Sequence, residues 1–160
     1  MIKHMNFIEL KIKNANELLE EIHNYIRWQA PVDVEHMSRD EIFKVSCEAM
    51  RVTVRITQII SWLMLQKAIL DAKVSSEEVF LEKFPILQGK SCLEKSSEID
   101  PQMPSRLREL LIKSRKLYLQ TKMLEGLSFQ RHPLPEEIKK ERAKGYYTVP
   151  SLLSQKDRKN

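Results

Sequence analysis

The sequence predicts an all-α protein, a three-helix bundle with a very long central helix. Glycine is scarce, with Gly89, Gly126 and Gly145 the only three in 160 residues, which argues against a turn-rich β architecture. Apolar residues recur at spacings of three and four along most of the chain, as they do on one face of a helix. A hydrophobic content of 42% is sufficient for a packed core.

The first helix is predicted to begin near Asn14 or Asn16, since either side chain can cap a helix. Apolar residues follow at helical spacing: Leu18, Leu19, Ile22, Tyr25 and Ile26. Pro31 is predicted to end the segment, because the residue before a proline is disfavoured in the helical conformation. Residues 1–13 are therefore predicted to be an N-terminal arm, and the bundle domain is placed at 14–127.

The central helix has a clear start signal, because Ser38 and Glu41 have the spacing of a capping box. The helical pattern then runs without Gly or Pro to about residue 72, which gives a helix of about 50 Å. One apolar stripe contains Ile42, Val45, Ala49, Val52, Ile56, Ile59, Leu63 and Leu70. A second contains Phe43, Cys47, Met50, Val54, Met64 and Ala68.

Two apolar stripes on one long helix exceed what two shorter helices can cover. Exposed apolar surface of this kind usually indicates association, and an isologous homodimer is the commonest closed solution. The chain is therefore predicted to be a homodimer. The alternative is that the short helix near Ser75, the loop and the tail fold back and cover the excess apolar surface. The residues predicted to lie in the core or the dimer contact are Ile42, Val52, Ile56, Ile59, Leu63 and Leu70.

The second half of the chain contains one more long helix. Ser75 and Glu78 form another capping-box pattern, for a short helix that ends near residue 84. Residues 85–104 are interpreted as a loop. The last long helix is predicted from Pro104 or Ser105 to about residue 125, with Gly126 as its C-terminal cap.

Residues 128–160 are predicted to form a basic, mobile tail. They contain eight Lys or Arg and four Asp or Glu, so that +4 of the formal net charge of +5 lies there. One alternative function is a nucleic-acid-binding regulator that uses the tail cations Lys139, Lys140, Arg142 and Lys144. The long uninterrupted helix argues against a helix-turn-helix and makes nucleic acid a weaker hypothesis.

No pattern predicts catalysis, a metal or a cofactor. His4, His23, His36 and His132 lack the spacing of metal ligands, and no Cys-x-x-Cys pair occurs. Cys47 is predicted to be buried and Cys92 exposed, both as free thiols in a reducing cytoplasm. No apolar run approaches the length of about 20 residues that spans a membrane. The chain is predicted not to be an enzyme.

Four residues of the central helix share a face, at spacings of four, three and four: Arg51, Arg55, Gln58 and Trp62. They are either a solvated stripe, with Glu48 paired to one of the arginines and Trp62 packed at the bundle end, or a recognition surface. A further alternative function is small-ligand binding in a pocket lined by Trp62, Met50 and Met64.

Residues 48–68 resemble the signature of the regulator of CtrA degradation family. The matching motifs are Met50-Arg51, Thr53-Val54-Arg55, Gln58, Ser61-Trp62-Leu63 and Leu65-Gln66-Lys67-Ala68. The resemblance extends over roughly residues 14–125 and includes Ser114-Arg115-x-Leu117-Tyr118. It implies a dimeric three-helix bundle that is a non-enzymatic adaptor of alphaproteobacteria.

The resemblance also implies the partners. Such adaptors help to deliver cell-cycle regulatory proteins to the ClpXP protease, together with a receiver-domain protein. A transcription regulator is the expected cargo, and the resemblance implies a cytoplasmic protein concentrated at a cell pole. The residues predicted to bind partners are Arg51, Arg55, Gln58, Trp62 and Gln66.

Overall fold

The computed structural model describes residues 2–73, 87 and 90–131, and every regular element in those ranges is helical. Helix α1 spans Ile2–Asn24 and continues through a π-helical turn, Tyr25–Gln29, into the short helix α2, Ala30–Asp33. The long helix α3 spans Arg39–Leu70. Next come the short helix α4, Lys90–Leu93, a 3-10 turn, Ser96–Glu98, and the long helix α5, Ser105–Arg131. Helices α1, α3 and α5 each contact the other two, which confirms the predicted helical bundle.

The start of α3 has the predicted capping box. The Glu41 backbone N–H donates to the Ser38 hydroxyl at 3.4 Å, and the Ser38 backbone N–H donates to the Glu41 carboxylate at 2.7 Å. The Ser38 hydroxyl also donates to the Glu41 carboxylate, at 2.7 Å, and together with the Ser38 backbone N–H it holds the pKa of Glu41 below its ordinary value. The helix then continues for 32 residues to Leu70, and Ala72 adopts the left-handed conformation just beyond its end.

The predicted start of the first helix is wrong. Asn14 and Asn16 lie on the exposed side of α1, which begins at Ile2 instead of at either asparagine. Burial of apolar side chains outweighs the capping preference, because Ile8 and Ala15 pack against α3 and α5 residues of the core. Residues 2–13, predicted to be an arm, are thus the first half of α1.

Pro31 does not end the helical segment at its preceding residue. The helix continues as the π-helical turn, and α2 begins directly after it with Pro31 in its first turn. Proline is tolerated there because first-turn N–H groups have no intrahelical partner. Burial and the nearby Asp33 carboxylate raise the pKa of Tyr25 at this turn.

The predicted end of the last helix is also wrong, since α5 continues past Gly126 to Arg131. Glycine inside a helix costs only about 1 kcal/mol relative to alanine, which continued helical hydrogen bonding can offset. The tail beyond residue 131, the Ser75–Glu78 capping box and the short helix predicted after it lie outside the described residues. The boundaries 14–127 and 128–160 remain predictions.

The core consists of two apolar clusters stacked along the bundle. One contains Leu18, Ile22, Tyr25, Val45, Ala49, Val52, Ile56, Met103, Leu107, Leu110 and Leu111. The other contains Ile8, Ala15, Ile59, Trp62, Leu63, Leu87, Cys92 and Tyr118. Of the core or dimer candidates, Val52, Ile56, Ile59 and Leu63 are fully buried, whereas Ile42 and Leu70 are half-buried.

Candidate protein-binding surface

The polar residues of the α3 signature do not form one exposed face. Arg55 is fully buried and Trp62 is nearly so, while Arg51, Gln58 and Gln66 are half-buried. The expectation of a shared solvent-exposed stripe is therefore wrong. The reason is that the segment around α4 covers this side of α3, where Arg51, Arg55 and Gln58 contact it.

Arg55 binds backbone carbonyls of the connecting segment, defined here as residues 90–98. Its Nε donates to the Cys92 carbonyl at 2.8 Å, and its Nη2 donates to the Glu94 carbonyl at 2.6 Å. Its Nη1 donates to the Leu111 carbonyl at 2.9 Å and to the Ser114 hydroxyl at 3.2 Å. One side chain thus joins α3, the connecting segment and α5.

The charge of Arg55 is compensated by a carboxylate that sequence analysis missed. Glu98 lies 3.9 Å from Arg55 Nη1, and its side chain is only 6% exposed. Glu98 also accepts a hydrogen bond from Arg115 Nε at 2.5 Å, which raises the pKa of Arg115. Burial lowers the pKa of Arg55, and the Glu98 charge opposes that shift.

Arg51 and Gln58 complete the contacts to the connecting segment. Arg51 Nη1 donates to the Ser91 carbonyl at 2.6 Å. Its Nε lies 2.9 Å from the Glu48 carboxylate, which is one of the two arginine pairings that the interpretation as a solvated stripe left open. The Gln58 side-chain oxygen accepts from the Tyr118 hydroxyl at 3.2 Å and from the Cys92 thiol at 3.7 Å. The residues Arg51, Arg55 and Gln58 are called the clamp below.

The two cysteines are placed opposite to their prediction. Cys47 is exposed, and Cys92 is buried in the second core cluster. Cys47 belongs to the second apolar stripe, which faces away from the core. Cys92 points inward because the clamp holds its backbone against α3.

The connecting segment has its own polar contacts and displays apolar side chains outward. The Glu94 carboxylate accepts from the backbone N–H groups of Ser96 at 2.9 Å and Lys95 at 2.8 Å, and these bonds lower the pKa of Glu94. Ile99, which follows the segment, is 81% exposed, and Leu93 is 37% exposed. The clamp therefore fixes a surface with two apolar side chains beside an exposed lysine, Lys95.

The side of α3 that faces away from the core is uncharged and largely exposed. It consists of Phe43, Cys47, Met50, Val54, Thr57, Ser61, Met64 and Ala68, named here the α3 seam. Phe43 is 72% exposed and Met50 is 68% exposed, while Val54 and Met64 are 40% and 52% exposed. Most of the seam is the second apolar stripe of the sequence.

The three residues suggested for a ligand pocket are not brought together. Met50 borders an apolar cleft of about 460 Å³ between α2 and α3, and Met64 borders a separate groove between α1 and α3. Trp62 lines neither of these two cavities, and it packs in the second core cluster.

The described part of the chain has neither a cluster of metal ligands nor a helix that could cross a membrane. Among those residues, no group of three or more His, Cys, Asp or Glu side chains comes together as a metal site would require. Over the same residues, no helix is both long and apolar enough to cross a membrane. The tail cations Lys139, Lys140, Arg142 and Lys144 lie outside the described residues.

Comparison with known proteins gives a family and a fold. The sequence model of a family described as "Protein of unknown function (DUF1465)" matches residues 4–144. The crystal structure of RcdA from Caulobacter crescentus CB15 is similar, with a TM-score of 0.58 and 24% identity over 74% of this chain and 87% of that chain. No curated protein matches the sequence. The likeness to RcdA shows the fold and confirms the resemblance predicted from residues 48–68.

Proposed function

The chain belongs to the family described as "Protein of unknown function (DUF1465)", and from this premise we propose that it is a non-enzymatic adaptor. In this proposal it binds other proteins and helps to deliver cell-cycle regulatory proteins to the ClpXP protease. The observation that carries the proposal is the clamp. Its buried arginine, Arg55, donates hydrogen bonds to the backbone of a surface segment and so holds that segment in one conformation.

Burying an arginine is energetically costly unless its nitrogens donate hydrogen bonds and its charge is compensated. Each of the three side-chain nitrogens of Arg55 donates at least one hydrogen bond, to the connecting segment or to α5, and Glu98 compensates its charge. A segment fixed in this way loses little conformational entropy when a partner binds, and this favours affinity. The clamp is thus better suited to presenting a binding surface than to bundle stability alone.

The contacts of the clamp also favour binding over catalysis. Arg51 and Arg55 donate to main-chain carbonyls, and Gln58 accepts from a thiol and a phenol. These polar groups are occupied by the protein itself and do not converge on an open cleft. The proposed role therefore needs neither a cofactor nor a metal.

The proposed partner surface is the connecting segment with Ile99, and its candidate contact residues are Leu93, Lys95 and Ile99. Arg55 and Trp62 act in this proposal by positioning, because they are buried. Arg51, Gln58 and Gln66 are half-buried and remain candidates for direct contact. The proposed partners are ClpXP, a receiver-domain protein and a transcription-regulator cargo, all by family resemblance.

Three further parts of the proposal come from the sequence. The chain acts as a homodimer, for which the exposed α3 seam is the supporting feature. It works in the cytoplasm and is concentrated at a cell pole. The basic tail tethers acidic partners and raises their effective concentration near the protease.

The test is quantitative affinity purification of the tagged full chain from its native cells. We expect ClpX and a receiver-domain protein to be recovered well above a tag-only control. A variant with Leu93→Ala and Ile99→Ala should recover less of them, because both side chains are exposed and their loss leaves the core intact. Met123→Ala, which removes a side chain on α5 that is 71% exposed, is the control. Recovery of ClpX no higher than with the tag alone would overturn the proposal.

A further inference from the structure

The α3 seam has the spacing of a helix-pairing surface. Its eight members follow one another at alternating intervals of four and three residues, which is the heptad repeat that keeps one helix face against another helix. None of them is charged, although 31% of the chain consists of charged residues. An exposed heptad face of this length indicates that another helix covers it.

The polar members of the seam do not oppose burial. The Thr57 hydroxyl donates to the Thr53 carbonyl at 2.9 Å, and the Ser61 hydroxyl donates to the Thr57 carbonyl at 2.8 Å. A buried hydroxyl costs free energy chiefly when it has no hydrogen-bond partner. Since both hydroxyls are already satisfied within α3, a second helix can cover them.

The size of the side chains along the seam alternates regularly. One set of heptad positions contains Cys47, Val54, Ser61 and Ala68, all of them small or medium in size. The other set contains Phe43, Met50, Thr57 and Met64, three of which are large. In an antiparallel pair of helices, the two sets face each other, whereas in a parallel pair each set faces itself.

We propose that two copies of this chain associate through antiparallel packing of their α3 seams. This inference rests on the homodimer of the proposed function and specifies its surface and direction. With the two-fold axis level with residues 55 and 56, every seam residue has a counterpart on the second copy. The pairs are Phe43 with Ala68, Cys47 with Met64, Met50 with Ser61, and Val54 with Thr57.

This register places a small side chain opposite each of the three large ones. Close packing without voids is what stabilises such contacts. A parallel pair would place Phe43 on Phe43 and Met50 on Met50, and it would leave gaps at Ser61 and Ala68. The antiparallel arrangement therefore fits the seam, and the parallel arrangement does not.

A disulfide to Cys47 can distinguish antiparallel from parallel packing of the two α3 helices. In the antiparallel pair, Cys47 of one copy lies beside residue 64 of the other, so Met64→Cys should create two intermolecular disulfides. The two Cys47 residues are then about 25 Å apart, given the rise of a helix. Because a disulfide needs Cα atoms within about 7 Å, the purified variant should cross-link about ten-fold faster than wild type on mild oxidation.

The control is Met123→Cys, which places a thiol at a methionine on α5 that is more exposed than Met64, 71% against 52%. It should behave as wild type, and peptide mass spectrometry should find the 47–64 bond only in Met64→Cys. A 47–47 disulfide in wild type, without the 47–64 bond in the variant, would overturn the antiparallel direction. Light scattering of wild type at 18.9 kDa, the mass of one chain, would overturn the homodimer and the seam together.

These outcomes are separate from the adaptor proposal, because cross-linking is read on the purified chain alone. A chain that forms the 47–64 bond but recovers no ClpX from cells contradicts the adaptor role and leaves the seam standing. A chain that recovers ClpX but forms no 47–64 bond contradicts the seam and leaves the adaptor role standing.

Discussion

The two outer sides of α3 use polar and apolar residues in opposite ways. On one side, Arg55 and Glu48 are buried and the clamp holds the connecting segment. On the other side, Phe43 and Met50 are exposed along the seam. A helix that only stabilised a bundle would bury its apolar side chains and expose its charges. The departure from that pattern on both sides indicates that α3 is shaped by contacts beyond its own core.

The largest expected effect comes from removing the buried charge. Arg55→Met deletes the donors to Cys92, Glu94 and Leu111 and leaves the Glu98 carboxylate without this partner. Breaking a buried ion pair by removing one partner typically costs about 3–5 kcal/mol, and we expect a loss of this size in the free energy of unfolding. Chemical denaturation measures it.

Arg55→Lys is the control for that variant, since it keeps the charge but loses the fork of donors. The free energy of unfolding of Arg55→Lys should lie between those of wild type and Arg55→Met. A loss below about 1 kcal/mol for Arg55→Met, the size of one ordinary hydrogen bond, would show that the clamp does not hold the segment.

The next effect separates the core from the seam. Ile56→Ala should cost about 2–5 kcal/mol because Ile56 is fully buried and its loss leaves a cavity. Met50→Ala removes an exposed side chain, so the isolated chain should lose little stability. If the seam pairs two copies, the Met50→Ala effect should grow with protein concentration, because association stabilises the folded state by mass action. Thermal unfolding at several protein concentrations measures the stability loss of both variants. If the two variants lost the same stability, with the same dependence on concentration, the distinction between core and seam would be contradicted.

A smaller effect is expected at the α5 end of the clamp. Ser114→Ala removes one hydroxyl that accepts from Arg55, while the Leu111 carbonyl still accepts from the same Nη1 atom. The loss of one hydrogen bond should cost about 1 kcal/mol in the free energy of unfolding. An effect as large as that of Arg55→Met would mean that the clamp depends mainly on α5.

The smallest effect concerns pH. The folded-state pKa of Glu94 is lowered by hydrogen bonds from Ser96 and Lys95, so its contribution to stability is present above its unfolded pKa, about 4.3. That contribution is lost as the pH falls through the lower, folded-state value. The melting temperature should therefore fall on acidification below about pH 4, and Glu94→Gln should reduce this fall. An identical acid profile for both proteins would contradict the role of Glu94 in the connecting segment.

The sequence predicted what depends on local signals and periodicity. The Ser38–Glu41 capping box, the long α3 and the core position of Val52 and Ile56 follow from spacing alone. The start of α1 and the end of α5 were predicted wrongly because tertiary packing outweighs the local signals of Asn14 and Gly126. A helix continues past such residues when burial compensates for the small local cost.

The candidate site was predictable only in its residue types. Spacing placed Arg51, Arg55 and Gln58 on one side of α3, but no pattern in the sequence indicates that a distant segment covers them. Glu98 lies 43 positions after Arg55 in the numbering, and no local pattern connects the two residues. The exchange of Cys47 and Cys92 has the same origin, because burial of each depends on which element covers it.

The adaptor role is tested most directly by the lifetime of the proteins that co-purify with this chain. Pulse-chase proteomics in native cells would compare wild type, a deletion, and the Leu93→Ala, Ile99→Ala variant. The account predicts that the co-purifying regulatory proteins live longer in the deletion and in the double variant, while Met123→Ala matches wild type. Unchanged lifetimes in the deletion would contradict delivery to a protease.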